Sequence, residues 1–535
     1  MTSFGVPPRR LTGIGDLNGD GFDDFAMGLP RAYVGGMPQV GRVVVVFGRA
    51  RDRLFPAEFD LIDRLPGEAL FLDGIDQGDY TGRRVEGVGD INGDGLDDLA
   101  ISARSADPDG LAGAGSVYVV FGRSGSMGHP FPERFSLDGL DGSTGFRLDG
   151  DLAFAKLGLD IARAGDPNID GVDDVLVTSY GEDVAGRTYL IFGRTTDDPD
   201  PFPAILSVAD LGPGQGCRFD GIPREIAGLS VAGVGDANGD GLDDFVIGAP
   251  QRNVDLLPQV GVATLVFGRE HWPHAIPLAE LDSVVTFRGE GAEHRCGYAV
   301  SGIGDFNGDG MSDFAISATE AGYGAFRQSG ETYVIYGRPA DDPFPPTLAP
   351  DQLDGRNGFR IHGVQRRDFS GIGLDGGGDL NGDGLSDILV GAPFATRAWN
   401  DSGEVSVIFG GDGVRRPLAP AVLNIADLDG QNGLRILGGL NGGFAGFSVS
   451  FVGDVNGDGR GDMAFVELAS QQAYVLFGRS CPIDLNGDGV LDVHDFLEFQ
   501  SLYELGDARA DIDRDGVLTL YDFLAFQNAF NTGCP

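Results

Sequence analysis

The chain has 535 residues, 81 acidic against 38 basic side chains, and a formal net charge of -43. That balance excludes nucleic acid as a partner and argues against an anionic membrane surface, because phosphate recognition needs clustered Lys and Arg. Hydrophobic residues make up 41% and recur in strand-length runs, so the acidity is not that of a disordered tail, and no apolar run is long enough to span a bilayer.

In chain order, the first element is a short apolar run ending in glycine, "RLTGIG" (10–15). An acidic loop follows, then "FAMGLP" (25–30), then a third apolar run, "VVVVFGR" (43–49), and a fourth around Leu70. Each run has strand length and is bounded by turn residues. The unit recurs seven times, with the first aspartates of its acidic loops 69 to 76 residues apart. The "FGR"-type run returns as "VYVVFGR", "TYLIFGR", "ATLVFGR", "TYVIYGR", "VSVIFGG" and "AYVLFGR". A fixed period of four short strands predicts one antiparallel sheet per repeat. Seven such sheets predict an all-β, seven-bladed β-propeller over residues 1–480, a ring that shields most of its strand edges.

The acidic loop is predicted to join the first and second strands of each blade. Its spacing, D-x-N-x-D-G-x-x-D, turns side chains 1, 3, 5 and 9 inward together with the carbonyl of residue 7. Four side-chain oxygens and a carbonyl suit Ca²⁺, whereas Mg²⁺ demands a stricter octahedron; the glycine at position 6 permits the sharp turn. The candidate ligands in the first four loops are Asp16, Asn18, Asp20, Phe22 and Asp24; Asp90, Asn92, Asp94, Leu96 and Asp98; Asp166, Asn168, Asp170, Val172 and Asp174; and Asp236, Asn238, Asp240, Leu242 and Asp244. The last three loops carry Asp305, Asn307, Asp309, Met311 and Asp313; Asp379, Asn381, Asp383, Leu385 and Asp387; and Asp454, Asn456, Asp458, Arg460 and Asp462. A single copy would read as an ordinary Asn/Asp/Gly turn. Seven copies that keep every side-chain position favour metal.

The repeat resembles the FG-GAP repeat of integrin α-chain propellers and their bacterial relatives, over about residues 10 to 480. "GAP" stands at Gly248-Ala249-Pro250 and at Gly391-Ala392-Pro393, with "GLP" at Gly28-Leu29-Pro30, and the other copies depart from it. The resemblance implies structural calcium on one face and ligands on the opposite one.

The period breaks after Arg479. Two further loops carry ligand residues at positions 1, 3, 5, 9 and 12: Asp484, Asn486, Asp488, Asp492 and Asp495, then Asp511, Asp513, Asp515, Thr519 and Asp522. With the position-7 carbonyls of Val490 and Val517 they match the EF-hand loop, with Asp replacing Glu at position 12. Each runs into a predicted short helix, "DFLEFQ" or "DFLAFQ", whose phenylalanines are three apart and share a face. The pair resembles a dockerin, in the variant bracketed by cysteines. Residues 481–535 are then a small α-helical, two-EF-hand domain, stapled by two Ca²⁺ ions and a Cys481–Cys534 disulfide and docking on a cohesin-like receptor. Loop positions 10 and 11, often Ser-Thr in cellulosomal dockerins, are Val493-His494 and Leu520-Tyr521 here. The alternative is a calcium-stabilised cap with no partner. Up to nine Ca²⁺ ions are expected in all.

Cys217 and Cys296 fall two blades apart and are expected as buried, unbridged thiols. "HWPH" (271–274) reads as a connecting loop, since no third metal ligand is near. There is no nucleophile elbow, HExxH or phosphate loop. These features predict a monomeric, extracellular or cell-surface, calcium-binding adhesion propeller that is not an enzyme, with a protein or glycan ligand on the face opposite the calcium loops. A secreted carbohydrate-active enzyme and a structural surface protein without a specific ligand are the alternatives. The long loops 318–330 and 392–403 should present Tyr323, Phe326, Arg327, Arg397 and Trp399 on that face. The fourth strand occurs six times only, around Leu70, Phe146, Phe219, Phe287, Phe359 and Leu434, so the seventh blade should have three. No basic start with an apolar core is visible in the first thirty residues, and Pro7 and Pro8 suit a strand badly. The expectation is a true start upstream of Met1, in a segment holding an export signal and the closing strand.

Overall fold

The computed structural model describes the chain apart from residues 1–7, 51–52, 54, 60–66, 126–129, 182–183, 197, 213, 283, 324–325, 398, 414–418, 479–492, 506, 508–509, 511, 513–516 and 533–535. Seven antiparallel sheets follow one another along the chain as the blades of a propeller. In the first blade the inner strand is Arg10–Gly15, followed outward by Asp24–Leu29, Arg42–Val46 and Ala69–Asp73. Every second strand is buried along its whole length, as in Asp98–Ala103 and Asp313–Ala318. Both of its faces press on neighbouring blades, which is why these strands read as unbroken apolar runs rather than as alternating ones. The inner strands crowd around the central axis and use glycine to do so: a Cβ at Gly13 would lie 2.7 Å from the Phe451 carbonyl oxygen, and one at Gly87 would lie 2.6 Å from the Ile14 Cα.

The expectation of four strands per blade needs correction for the first five blades, which have five. After its third strand the chain runs back to the preceding blade and adds a short parallel strand to that blade's outer edge. Arg134–Ser136 pairs with Ala69–Asp73 in this way, and Ile205–Ser207 with Gly145–Asp149. These strands are two or three residues long, too short to carry a period of their own. They cover edges that would otherwise invite pairing with another chain. In five blades the arginine that ends the third strand's "FGR" stacks on an aromatic ring of this connection, for example Arg49 over Phe55 (4.0 Å) and Arg194 over Phe202 (4.6 Å).

The sixth blade has four strands and the seventh has three among the described residues, Val449–Gly453, Asp462–Glu467 and Gln472–Leu476. Three strands are what the strand count anticipates, and residues 1–7, on which the expectation of a lost closing strand turns, lie outside the described residues. The ring closes between it and the first blade: the Leu11 N–H donates to Ser448 Oγ (3.1 Å), Phe55 stacks on Phe477 (5.8 Å), and the two blades share one apolar core.

Near the chain end, helices Val493–Leu505 and Leu520–Thr532 pack on each other. Phe499 and Phe526, on the predicted apolar faces, stack with ring centroids 4.7 Å apart. Asp495 and Asp522, at loop position 12, are fully buried in the first turns of these helices. Asp484, Asn486, Asp488, Val490, Asp492, Asp511, Asp513 and Asp515, and the cysteines Cys481 and Cys534, lie outside the described residues. Cys217 and Cys296 are buried and unbridged.

Candidate metal loops on one face of the ring

All seven acidic loops join first and second strands, so they share one face of the propeller. Each begins at a register shift in its strand pair, as between Gly13 and Gly15. Gly15 there has φ 67°, the bulge geometry that glycine adopts at least cost. The glycine of the repeated "GD" takes this conformation in six loops, and in the sixth Gly377, one residue earlier, takes it at φ 91°. The position-6 glycines all have positive φ, from 82° to 90°, as the turn reading requires. At position 4 the third loop carries Ile169 in place of glycine, at φ 57° and exposed.

Within a loop the position-1 carboxylate caps the turn. Asp16 Oδ1 accepts from the Asp20 N–H (3.0 Å) and Oδ2 from the Gly21 N–H (2.7 Å), and Asp20 Oδ1 accepts from the Phe22 N–H (3.1 Å). The same bonds recur at Asp90, Asp166, Asp236, Asp305, Asp379 and Asp454. The position-9 aspartates, Asp24, Asp98, Asp174, Asp244, Asp313, Asp387 and Asp462, are all fully buried. One oxygen of each accepts from the glycine of the "FG" element on the third strand, at 2.8 to 3.0 Å. A Cβ on that glycine would collide with the loop: at Gly48 it would lie 2.3 Å from the Asp23 carbonyl oxygen. The second oxygen accepts from the position-2 N–H in six loops. In the third loop that residue is Pro167, which has no N–H, and Asp174 Oδ2 is buried without a hydrogen-bond partner.

Burial, reinforced by the aspartates at positions 1 and 5, pushes the position-9 carboxyls upward: to about 9 at Asp174, about 8 at Asp244 and Asp313, and about 7 at Asp462. Asp24, Asp98 and Asp387 are raised well above the usual carboxylate range for the same reason. The loops thus hold buried oxygen donors that resist negative charge. Asn18 Oδ1 and Asn92 Oδ1 are further buried acceptors without a donor. An oxygen-only donor set with orphaned acceptors fits a hard divalent cation. Among the described residues, no three His, Cys, Asp or Glu side chains stand together as a ready metal cluster. The position-1 and position-5 carboxylates are turned onto backbone N–H groups, and position 3 is an amide.

Two elements of the loops were not anticipated. The first is the "FG" glycine. The second is position 8, the leading residue of the "DD" doublet, which bonds to the preceding blade instead of to its own loop. Asp97 Oδ2 accepts from the Asp16 N–H (2.9 Å), Asp173 Oδ2 from the Asp90 N–H (3.0 Å) and Asp243 Oδ2 from the Asp166 N–H (2.8 Å). Asp23 Oδ2 accepts from the Asp454 N–H (2.7 Å) and so bonds the first blade to the seventh. The repetition of "DD" was the available signal, but its target lies about one repeat away in sequence.

On the opposite face, Trp399 and Phe326 are exposed, as expected of contact residues. Arg397 and Tyr323 are not free anchors. The Arg397 side chain is 10% exposed and pairs with Asp368 (2.6 Å) and Glu404 (2.7 Å), and Tyr323 stacks on His362 (4.2 Å). Trp272 of "HWPH" packs edge-on against Phe219 (5.6 Å), a core contact, while His271 and His274 are exposed loop residues.

The FG-GAP repeat family matches residues 84–120, 227–263 and 370–408, in the second, fourth and sixth repeats. The chain is 26% identical over 254 residues to integrin alpha pat-2 of Caenorhabditis briggsae, covering 44% of this chain and 17% of that protein. It is 32% identical over 172 residues to integrin alpha-5 of Xenopus laevis, covering 31% of this chain and 14% of that one. It is also 27% identical over 234 residues to a phosphatidylinositol-glycan-specific phospholipase D of Dictyostelium discoideum, covering 42% of this chain and 24% of that enzyme. Less than a quarter of each relative's length is therefore matched. The chain carries FG-GAP repeats in an integrin α-like seven-bladed propeller, and no helix among its described residues is long and apolar enough to cross a membrane.

Proposed function

We propose that this is an extracellular or cell-surface adhesion propeller whose acidic loops bind Ca²⁺ and whose opposite face binds a protein or glycan ligand. The observation that carries the reading is the placement of seven alike acidic loops on one face of an integrin α-like ring, with unequal loops on the other. In each acidic loop the ligands are the side chains at positions 1, 3, 5 and 9 and the carbonyl at position 7. The cation cancels the repulsion among buried carboxylates and locks the hairpin, a structural role that links metal binding to folding. The C-terminal helical pair completes two further Ca²⁺ loops as a dockerin-like tether to a cohesin-like receptor. The integrin α relatives support the adhesion class. The propeller is read as non-catalytic, since most of its clustered carboxylates fall in the acidic loops.

The test is an array of glycans and matrix proteins probed with the full chain, with and without Ca²⁺. A calcium-dependent ligand is expected, and its absence from every class would overturn the reading. A second reading, part of a secreted hydrolase, has the phospholipase relative in its favour. Turnover of a polysaccharide or glycolipid by the full chain would establish it.

A further inference from the structure

A cavity of about 570 Å³ opens at the centre of the ring, and its lining is drawn largely from the residues that start the inner strands, on the side away from the acidic loops. In a chain with about two acidic residues for each basic one, the local balance is inverted. Six arginines line this cavity against three carboxylates, Glu86, Asp160 and Asp375. Three of the six are accounted for. Arg84 pairs with Asp160 (2.7 Å), Arg10 lies 3.6 Å from Glu86, and Arg163 pairs with Asp173 of an acidic loop (2.9 Å). The other three, Arg9, Arg83 and Arg104, have no carboxylate partner among the described residues.

They are not alone at the rim. Arg31 and Lys156, the chain's single lysine, are close enough to act on this group: Arg83 is lowered by burial and then by Arg104, Arg9 and Arg31, and Lys156 by burial and then by Arg104 and Arg83. Those three cations thus line the mouth, and two more lie near enough to add to its positive field. Tyr180 and Phe447 line the same cavity, and Tyr33 and Phe154 are exposed on the adjoining loops. Clustered cations without counter-ions cost free energy that an arriving anion recovers. Guanidinium groups also bind carboxylate and sulfate through paired N–H donors.

We infer that this mouth is a binding site for an acidic sugar, one carrying a carboxylate or sulfate, whose anion is held by Arg83 and Arg104 while its ring stacks on the neighbouring aromatics. The volume falls within the range of about 300–1,000 Å³ usual for small-ligand sites. A long nucleic acid is excluded by the repulsion of the remaining surface. Rings flanking the cations favour a sugar over an acidic peptide, which would call for hydrogen-bonding backbone edges. The inference rests on the ligand-binding reading above and specifies its chemistry.

The experiment is calorimetric titration of the full chain in Ca²⁺ with a uronic-acid oligosaccharide, a sulfated oligosaccharide, a neutral oligosaccharide of matched length, and an Asp/Glu-rich peptide. The carboxylate and sulfate probes separate the two sources of the anion. At least one acidic sugar should bind at least tenfold more tightly than the neutral one and the peptide, and should weaken with salt. The double variant R83A/R104A should lose tenfold or more with its melting temperature unchanged. R366A, exposed on the same face and outside the cavity, should bind as the parent does. Equal affinity for the neutral sugar, preference for the peptide, no binding of either acidic sugar, or full binding by R83A/R104A would each overturn the inference. Ligands found on the array that bind independently of Arg83 and Arg104 would leave the adhesion reading standing.

Discussion

Replacing Asp174 by asparagine should stabilise the chelated protein and destabilise the calcium-loaded one. The third loop is the clean place for this experiment. In the other six loops the second oxygen of the position-9 carboxylate faces a backbone N–H, which an amide nitrogen would oppose; at Asp174 that donor is replaced by Pro167. In Asp174→Asn the retained oxygen still accepts from the Gly193 N–H, now 2.8 Å from Oδ1. The new amide lies in the field of Asp166 and Asp170, whose charges act on Asp174. Without metal, the substitution removes a fully buried acid that burial has pushed to about 9. Relief of a buried, unsatisfied polar group is worth about 1–3 kcal/mol. With Ca²⁺ the loop loses one of its three carboxylates, and a tenfold loss of affinity is about 1.4 kcal/mol in the opposite direction. The assay is urea unfolding of the full chain and variant, in calcium and in chelator. Asp244→Asn is the comparator, because the Ala237 N–H donates to its second oxygen (3.1 Å); it should destabilise under both conditions. A change of the same sign for Asp174→Asn in calcium and in chelator would refute the assignment of this loop.

Chelation should lower the melting temperature of the whole chain, by linkage, and equal melting curves would contradict calcium binding. In chelator, stability should fall as pH rises from about 4 to about 9. The folded carboxyls at about 7 to 9 lie above their unfolded value, 3.8, so the folded state holds the extra protons and loses that advantage as they leave; calcium should flatten this slope. Asp23→Ala removes the acceptor of the Asp454 N–H at the ring junction, a loss of about 1.5–3 kcal/mol for a bond to a charged group. Amide exchange in residues 449–476 should accelerate in that variant, and unchanged protection would dismiss the bond as a closure element. Arg397→Ala leaves Glu404 and Asp368 buried with less compensation, although Arg435 still reaches Glu404 (2.6 Å). It should cost about 3–5 kcal/mol in unfolding free energy without changing ligand affinity; a binding defect at unchanged stability would return Arg397 to the ligand face.

The sequence by itself determined what contiguous residues can encode. A turn that needs glycine at position 6 and carboxylates two residues apart is specified within nine residues, so the seven loops, their common face and their strand boundaries were legible. The count of three strands in the last blade among the described residues was legible as well, since the period counts strands. So were the apolar faces of the two terminal helices, which follow from phenylalanines three apart. Contacts between blades were decided by the tertiary structure. The parallel strand added to the preceding blade, the bond from Asp23 to the seventh blade and the carboxylate pair around Arg397 depend on how the blades are wedged around the axis. The same holds for the basic mouth: Arg9 and Arg83 open equivalent Arg-Arg doublets at the start of the first two inner strands, but only the ring brings Arg104 and Lys156 to them. Turn geometry is a property of a few adjacent dihedrals, whereas the curvature of the ring is set by summed packing between sheets, and that curvature decides which distant side chains meet.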